Sequence, residues 1–291
     1  MTAPKFNIFF LLFSCVLFAQ IKGKVIDENN QPIPYVNILV ENENIGTTSD
    51  VDGSFSLGIN EEKILLFSVL GYEKMKMNSS NVAIVKMKAT IYQLGEIAIV
   101  NKKQTKQVEI GKTENSIQQA FENGPRFDAK FFPFLANYKK TKYIKKVVVY
   151  TESNIEEATV KIHFYSVGDD GLPGEELLEK DYIVSVKKGS RKTQFDVSSL
   201  NMVFPKKGLF VAIERLFIEK NMFEKTVPAS DVTKTKHKKT YYPLPFYNFV
   251  EKEYTYTFLG GKWSREFKKD GEGSVVKTRV FEPAIHLILT N

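Results

Sequence analysis

Three histidines, His163, His237 and His286, are the residues of this chain best suited to moving protons or holding a metal near neutral pH. Zinc hydrolysis needs two histidines and a carboxylate at fixed spacing, with one coordination position left open. None of the three histidines sits in an H-E-x-x-H or H-x-x-E arrangement. His163 lies in "VKIHFYSV" and His286 in "PAIHLIL", both strand-like, and His237 lies in the basic "KTKHKK". A G-x-S-x-G elbow is missing, as is a glycine-rich loop ending in G-K-S/T, so serine hydrolysis and nucleotide binding lack their signatures. No catalytic residue, metal ligand or cofactor is expected.

Binding is the remaining chemistry. Asp50-Val51-Asp52, and Asp169-Asp170 with Glu175, are acidic loops, but calcium takes six to eight oxygen ligands and no EF-hand spacing is present. Hairpin-turn geometry already accounts for Asp and Gly at such places. The segment "TYYPLPFYNFVEKEYTYTF" (240–258) is the aromatic candidate. Tyr241, Tyr242 and Tyr247, with Trp263, the one tryptophan, would form a stacking platform for a sugar or peptide. The competing reading is that these rings close one end of a β-sandwich.

The net charge is +7, and residues 101–146 hold eleven Lys and Arg against four Asp and Glu, an excess of seven that equals the whole-chain value. For an exported protein that basic stretch points away from nucleic acid and towards anionic lipid or lipopolysaccharide, contacted weakly by Lys102, Lys103, Lys106, Lys139, Lys140 and Lys142. The bland alternative is a solvated linker.

Export itself is read from "MTAPKFNIFFLLFSCVLFAQ". Lys5 precedes an apolar run from Ile8 to Ala19, too short for the roughly 20 residues a membrane span requires. Residues 1–20 are therefore expected to be a signal peptide cleaved after Ala19 or Gln20. Cys15 is the sole cysteine, so the processed chain would carry neither thiol nor disulfide. Lipidation at Cys15 is the minor alternative, disfavoured by bulky Phe13 and by the apolar Val16-Leu17-Phe18 that follow.

From Ile21 to Val100 short strands alternate with turns. Val36, Ile38 and Val40 share a face, and "TTSDVDGSFSL" (47–57) places Gly53 at a tight turn with Phe55 and Leu57 pointing inward. Ile64–Val69 is a core-type run, "LGYE" follows as a turn, and Val82–Met87 closes the unit. This order of motifs resembles the carboxypeptidase-like regulatory domain, a transthyretin-like seven-strand sandwich common in exported Bacteroidetes proteins. The resemblance implies an accessory rather than a catalytic role. "IYQLGEIAIV" (91–100) is similar to the run that follows this domain in outer-membrane transporters, but only 191 residues follow Val100, too few for a barrel of twenty or more strands. It is read as an exit strand.

Residues 101–125 read as a basic linker with a helical turn around Ser116–Phe121. Residues 126–291 again read strand after strand, with Val160, Ile162 and Phe164 on one face and Lys161, His163 and Tyr165 on the other. A larger jelly-roll-like β-sandwich is expected, resembling the uncharacterised domain that accompanies the regulatory domain in flavobacterial proteins. The expected protein is all-β. It would be a non-enzymatic exported accessory, periplasmic or associated with the outer membrane, binding or scaffolding an envelope protein. A lectin-like glycan-binding module is the alternative, and a peptidase-associated protein the distant one.

Overall fold

The computed structural model describes residues 20–90, 104–113, 118–228 and 235–291. Residues 1–19 of the expected signal peptide, the Ile91–Val100 run, Lys102 and Lys103 lie outside the described residues. The described chain is all-β, with two sandwiches in sequence.

The first sandwich packs a three-stranded sheet on a four-stranded one. The three-stranded sheet runs Ser54–Gly58, Gln20–Ile26, Ile84–Lys86, the last two parallel. The other runs Gly46–Thr48, Asn37–Val40, Ile64–Ser68, Met75–Asn78, all antiparallel. Alternation drives this assembly. Val36, Ile38, Val40, Phe55, Leu57, Leu65 and Phe67 are buried together between the sheets. Gly53 has φ +79°, the left-handed turn expected of it.

The second sandwich packs an eight-stranded sheet against a seven-stranded one. At the centre of the eight-stranded sheet lie Ala158–Val167, Leu209–Arg215, Phe127–Phe132 and Tyr254–Leu259, in that spatial order. The seven-stranded sheet is built around Tyr143–Ser153 and Ile285–Thr290, which pair antiparallel. Val160, Ile162, Phe164, Leu209, Val211 and Ile213 face inward against Val147, Val149, Ile285 and Leu287.

Two stretches of the segment expected as a linker are strands of this sandwich. Gln107–Ile110 pairs with Ile285–Thr290, and Gln118–Ala120 pairs with Leu244–Lys252. Residues 118–120 are thus strand where a helical turn was expected. The polar composition suits an edge position, where one face and one backbone edge stay wet. Lys130, counted in the same basic stretch, is buried instead: its Nζ donates to the Gly111 carbonyl at 2.6 Å and pairs with Glu282 at 3.2 Å.

The two sandwiches are joined by a polar seam. The Gly260–Gly261 turn has positive φ at both residues (+53° and +89°), and the Gly260 carbonyl accepts from the Asn42 amide at 3.1 Å. A Cβ on Gly260 would stand 2.5 Å from the Asn42 backbone, so only glycine permits this approach. Asn44 donates to the Asn123 carbonyl and accepts from the Arg126 amide. Thr48 accepts from the Phe217 amide, and Asp50 accepts from the Glu219 amide.

Candidate functional site

The outer face of the eight-stranded sheet carries a layer of rings: Phe127, Phe210, Tyr256, Tyr165, Phe258 and Trp263. The first sandwich stands over one end of it. Between them lies a cleft of about 480 Å³. Asn37, Ser68, Leu70 and Tyr72 form one wall, and Phe127, Tyr165, Phe258 and Trp263 form the other.

His163 is at the floor. Its Nδ1 lies 2.8 Å from Glu176 Oε2 and its Nε2 lies 2.7 Å from Glu214 Oε2. Phe127 and Tyr165 flank it, nearly parallel to the imidazole, with centroids at 5.4 and 5.3 Å. Burial alone would lower the histidine pKa. Hydrogen bonds to both glutamates outweigh it and push the value up to about 9. His163 is therefore an imidazolium at neutral pH, with both nitrogens taken.

Lys161, two residues earlier on the same face, is also buried. Its Nζ lies 3.0 Å from Asp181 Oδ2 and donates to the Tyr35 carbonyl of the first sandwich at 3.1 Å. Burial would depress this ammonium, but Glu214 and Asp181 hold its pKa above the ordinary lysine value. Burial would likewise raise Glu214, and the charges of Lys161 and His163 bring it below the carboxylate norm. Tyr165 is pushed well above the usual phenol by burial and then by Glu176, Glu214 and Asp181.

A smaller hollow of about 240 Å³ lies beside Lys252 and Glu282. Its carboxylate is already flanked by Lys130 and Lys252.

The aromatic candidates are dispersed. Trp263 lines the cleft, in contact with Phe127, Tyr165 and Phe258. Tyr242 is buried in the main core of the second sandwich, its hydroxyl against Asn154. Tyr247 is buried and donates to Asp128 at 2.9 Å. Tyr241 packs on Phe217, and its carbonyl accepts from Arg215. The three tyrosines and Trp263 thus share no platform. Lys106, Lys139, Lys140 and Lys142 are all exposed; Lys139 and Lys140 end a 3₁₀ turn at Ala136–Lys140, Lys142 lies over the Tyr143 ring, and the Lys106 amide donates to Asn291. The acidic loops serve their own turns, with Asp52 accepting from Ser54 and Asp170 from the Leu172 amide.

Sequence reasoning did not select Lys161, His163, Glu176, Asp181 or Glu214. The available signal was the alternation Lys161, His163, Tyr165 on a strand whose other face is apolar.

Comparison with known proteins reaches the first sandwich. A TonB-dependent receptor P39 of Formosa agariphila is 27% identical over 95 residues, covering 32% of this chain and 9% of the receptor. The TonB-dependent receptor SusC of Bacteroides thetaiotaomicron is 28% identical over 99 residues, covering 33% of this chain and 10% of that receptor. The chain therefore spans about a tenth of the length of these curated relatives. A solved structure of infectious bursal disease virus Gx strain overlaps 88% of this chain and 55% of its own at 8% identity and a TM-score of 0.24, too low to carry an argument. Residues 21–99, which span the first sandwich, match the family model described as CarboxypepD_reg-like domain.

Proposed function

We propose that this protein is a non-enzymatic exported accessory of the cell envelope, acting as a binding module with its ligand seat in the cleft between the sandwiches. The observation that carries this reading is the cleft itself: an open, aromatic-walled hollow with His163, Lys161 and three carboxylates at its floor. His163 has no free nitrogen for acid–base work, which favours binding over chemistry. The CarboxypepD_reg-like sandwich and the receptors that carry a similar segment support an envelope setting.

A photo-crosslinking residue at Glu175, on the rim, tests the seat against the same residue at Lys139 on an exposed turn remote from the cleft lining. Selective capture from envelope fractions through position 175 supports the reading. Equal capture through both positions removes it. Export is tested by intact mass of the native protein, expected to begin at Gln20 or Ile21.

A glycan-binding role is the second reading, favoured by the concave ring lining that includes Trp263. Retention on neutral oligosaccharides, lost in Trp263→Ala, would mark it.

A further inference from the structure

We propose that the cleft receives a cationic side chain, lysine or arginine, presented by a peptide or protein partner. This rests on the cleft being the binding seat.

Four carboxylates line the cleft, Glu175, Glu176, Asp181 and Glu214, against three cations, Lys74, Lys161 and His163. With His163 protonated, one negative charge is left over. Glu175 and Lys74 stand on the exposed rim, so the excess resides in the floor, where three carboxylates meet two cations. A desolvated charge excess is costly unless a counter-charge arrives.

Among the described residues, Glu214 and Asp181 are engaged through one oxygen each, Oε2 to His163 and Oδ2 to Lys161. Each keeps a second oxygen for an incoming donor. Carboxylates raise both His163 and Lys161 against the depressing effect of burial, so each floor cation sits among negative groups.

Trp263 and Phe258 on one wall and Leu70 on the other offer apolar surface leading to the acidic floor. A lysine or arginine side chain has that layout, an apolar stem ending in a charged head. Asn37 and Ser68 on the opposite wall supply donors and acceptors for a peptide backbone. A neutral sugar would use the rings but leave the excess charge uncompensated.

Trp263 is the one tryptophan in the chain, so its emission reports the cleft directly. The full processed chain is titrated with capped, glycine-flanked pentapeptides carrying lysine, norleucine or glutamate at the centre, and with maltohexaose. The lysine peptide should shift the emission saturably. Norleucine, which keeps the stem and lacks the charge, should bind at least tenfold more weakly, and glutamate should not bind. Raising the salt should weaken the lysine peptide. Asp181→Asn should weaken it at least tenfold. Because Asp181 also neutralises Lys161, Glu175→Gln on the exposed rim is the second variant, expected to weaken binding about twofold without disturbing the fold. Equal binding of norleucine and lysine peptides overturns the cationic assignment. Maltohexaose shifting the emission where lysine fails overturns it too, while leaving the seat intact. If no probe moves Trp263 and position 175 captures nothing selectively, both readings fall.

Discussion

His163 and His286 sit on central strands of the second sandwich, and both bond a glutamate, yet their surroundings drive them in opposite directions. His286 meets Glu109 at 3.1 Å through Nδ1 and feels the nearby ammonium groups of Lys130 and Lys192. Burial first, then those lysines, hold its pKa below the ordinary histidine value, although Glu109 pulls the other way. His163 has a carboxylate on each nitrogen and a ring along each flank. A single shared glutamate does not offset burial among cations, whereas two glutamates do. The first arrangement is a satisfied structural histidine. The second is a fixed positive charge inside a negative pocket.

Substitution separates the two most strongly. His163→Ala leaves Glu176 and Glu214 facing each other without their bridge, and should cost about 3–5 kcal/mol, as breaking a buried ion pair does. His286→Ala should cost about 1–2 kcal/mol, the loss of one hydrogen bond in a buried place. Urea denaturation of both variants at pH 7 reads the gap. Equal losses would mean the cleft cluster is no tighter than an ordinary core contact.

The pH responses should have opposite signs. His163 has a folded value of about 9 against about 6.5 unfolded, so its stabilisation is complete below pH 6.5 and vanishes as pH rises through 9. The loss is about 3 kcal/mol by linkage. His286, depressed in the fold, contributes above pH 6.5 and loses that contribution as pH falls through its folded value. The stability difference between wild type and His163→Gln should shrink from pH 6 to pH 9.5, and that for His286→Gln should not.

Docking is the next lever. Gly260→Ala drives a methyl into the Asn42 backbone and should cost about 1–3 kcal/mol at the seam. Red-shifted Trp263 emission and faster proteolysis between the sandwiches would report it. Unchanged emission would mean the seam yields without opening the cleft. The smallest effect is expected where nothing is buried. Reversing Lys139, Lys140 and Lys142 to Glu should leave stability within about 0.5 kcal/mol. The same triple variant should lose whatever low-salt binding to anionic vesicles the wild type has.

The alternation at Val160–Tyr165 was legible in the sequence and correctly divided the strand into two faces. Its meaning was not. A polar face on a strand ordinarily meets water, and nothing in Lys161-x-His163-x-Tyr165 says that another sandwich will cover it. Lys161 bonding the Tyr35 carbonyl is a contact 126 residues apart, outside any local pattern. The motifs of the first sandwich were readable because each is local: Gly53 needs positive φ, and Phe55 and Leu57 follow within four residues on the strand after its turn. Residues 107–110 and 118–120 looked like linker because edge strands need few apolar residues. Tyr242 and Tyr247 looked like a platform because ring density alone does not distinguish a core from a surface.

The pairing of Tyr143–Ser153 with Ile285–Thr290 sets an order of events during synthesis. The first sandwich can form once residues 20–90 have emerged, since all its strands lie there. The seven-stranded sheet of the second lacks a central strand until residue 290 is made. Until then Tyr143–Ser153 has Gly189–Asp196 along one edge, while the edge that Ile285–Thr290 fills stays open beside Val147 and Val149, and so long a loop closes slowly. The cleft is assembled from both units, so it comes into being last. A truncation that spares every residue of the cleft but removes the final strand should therefore abolish binding, and should leave the second half prone to associate through its open sheet edge.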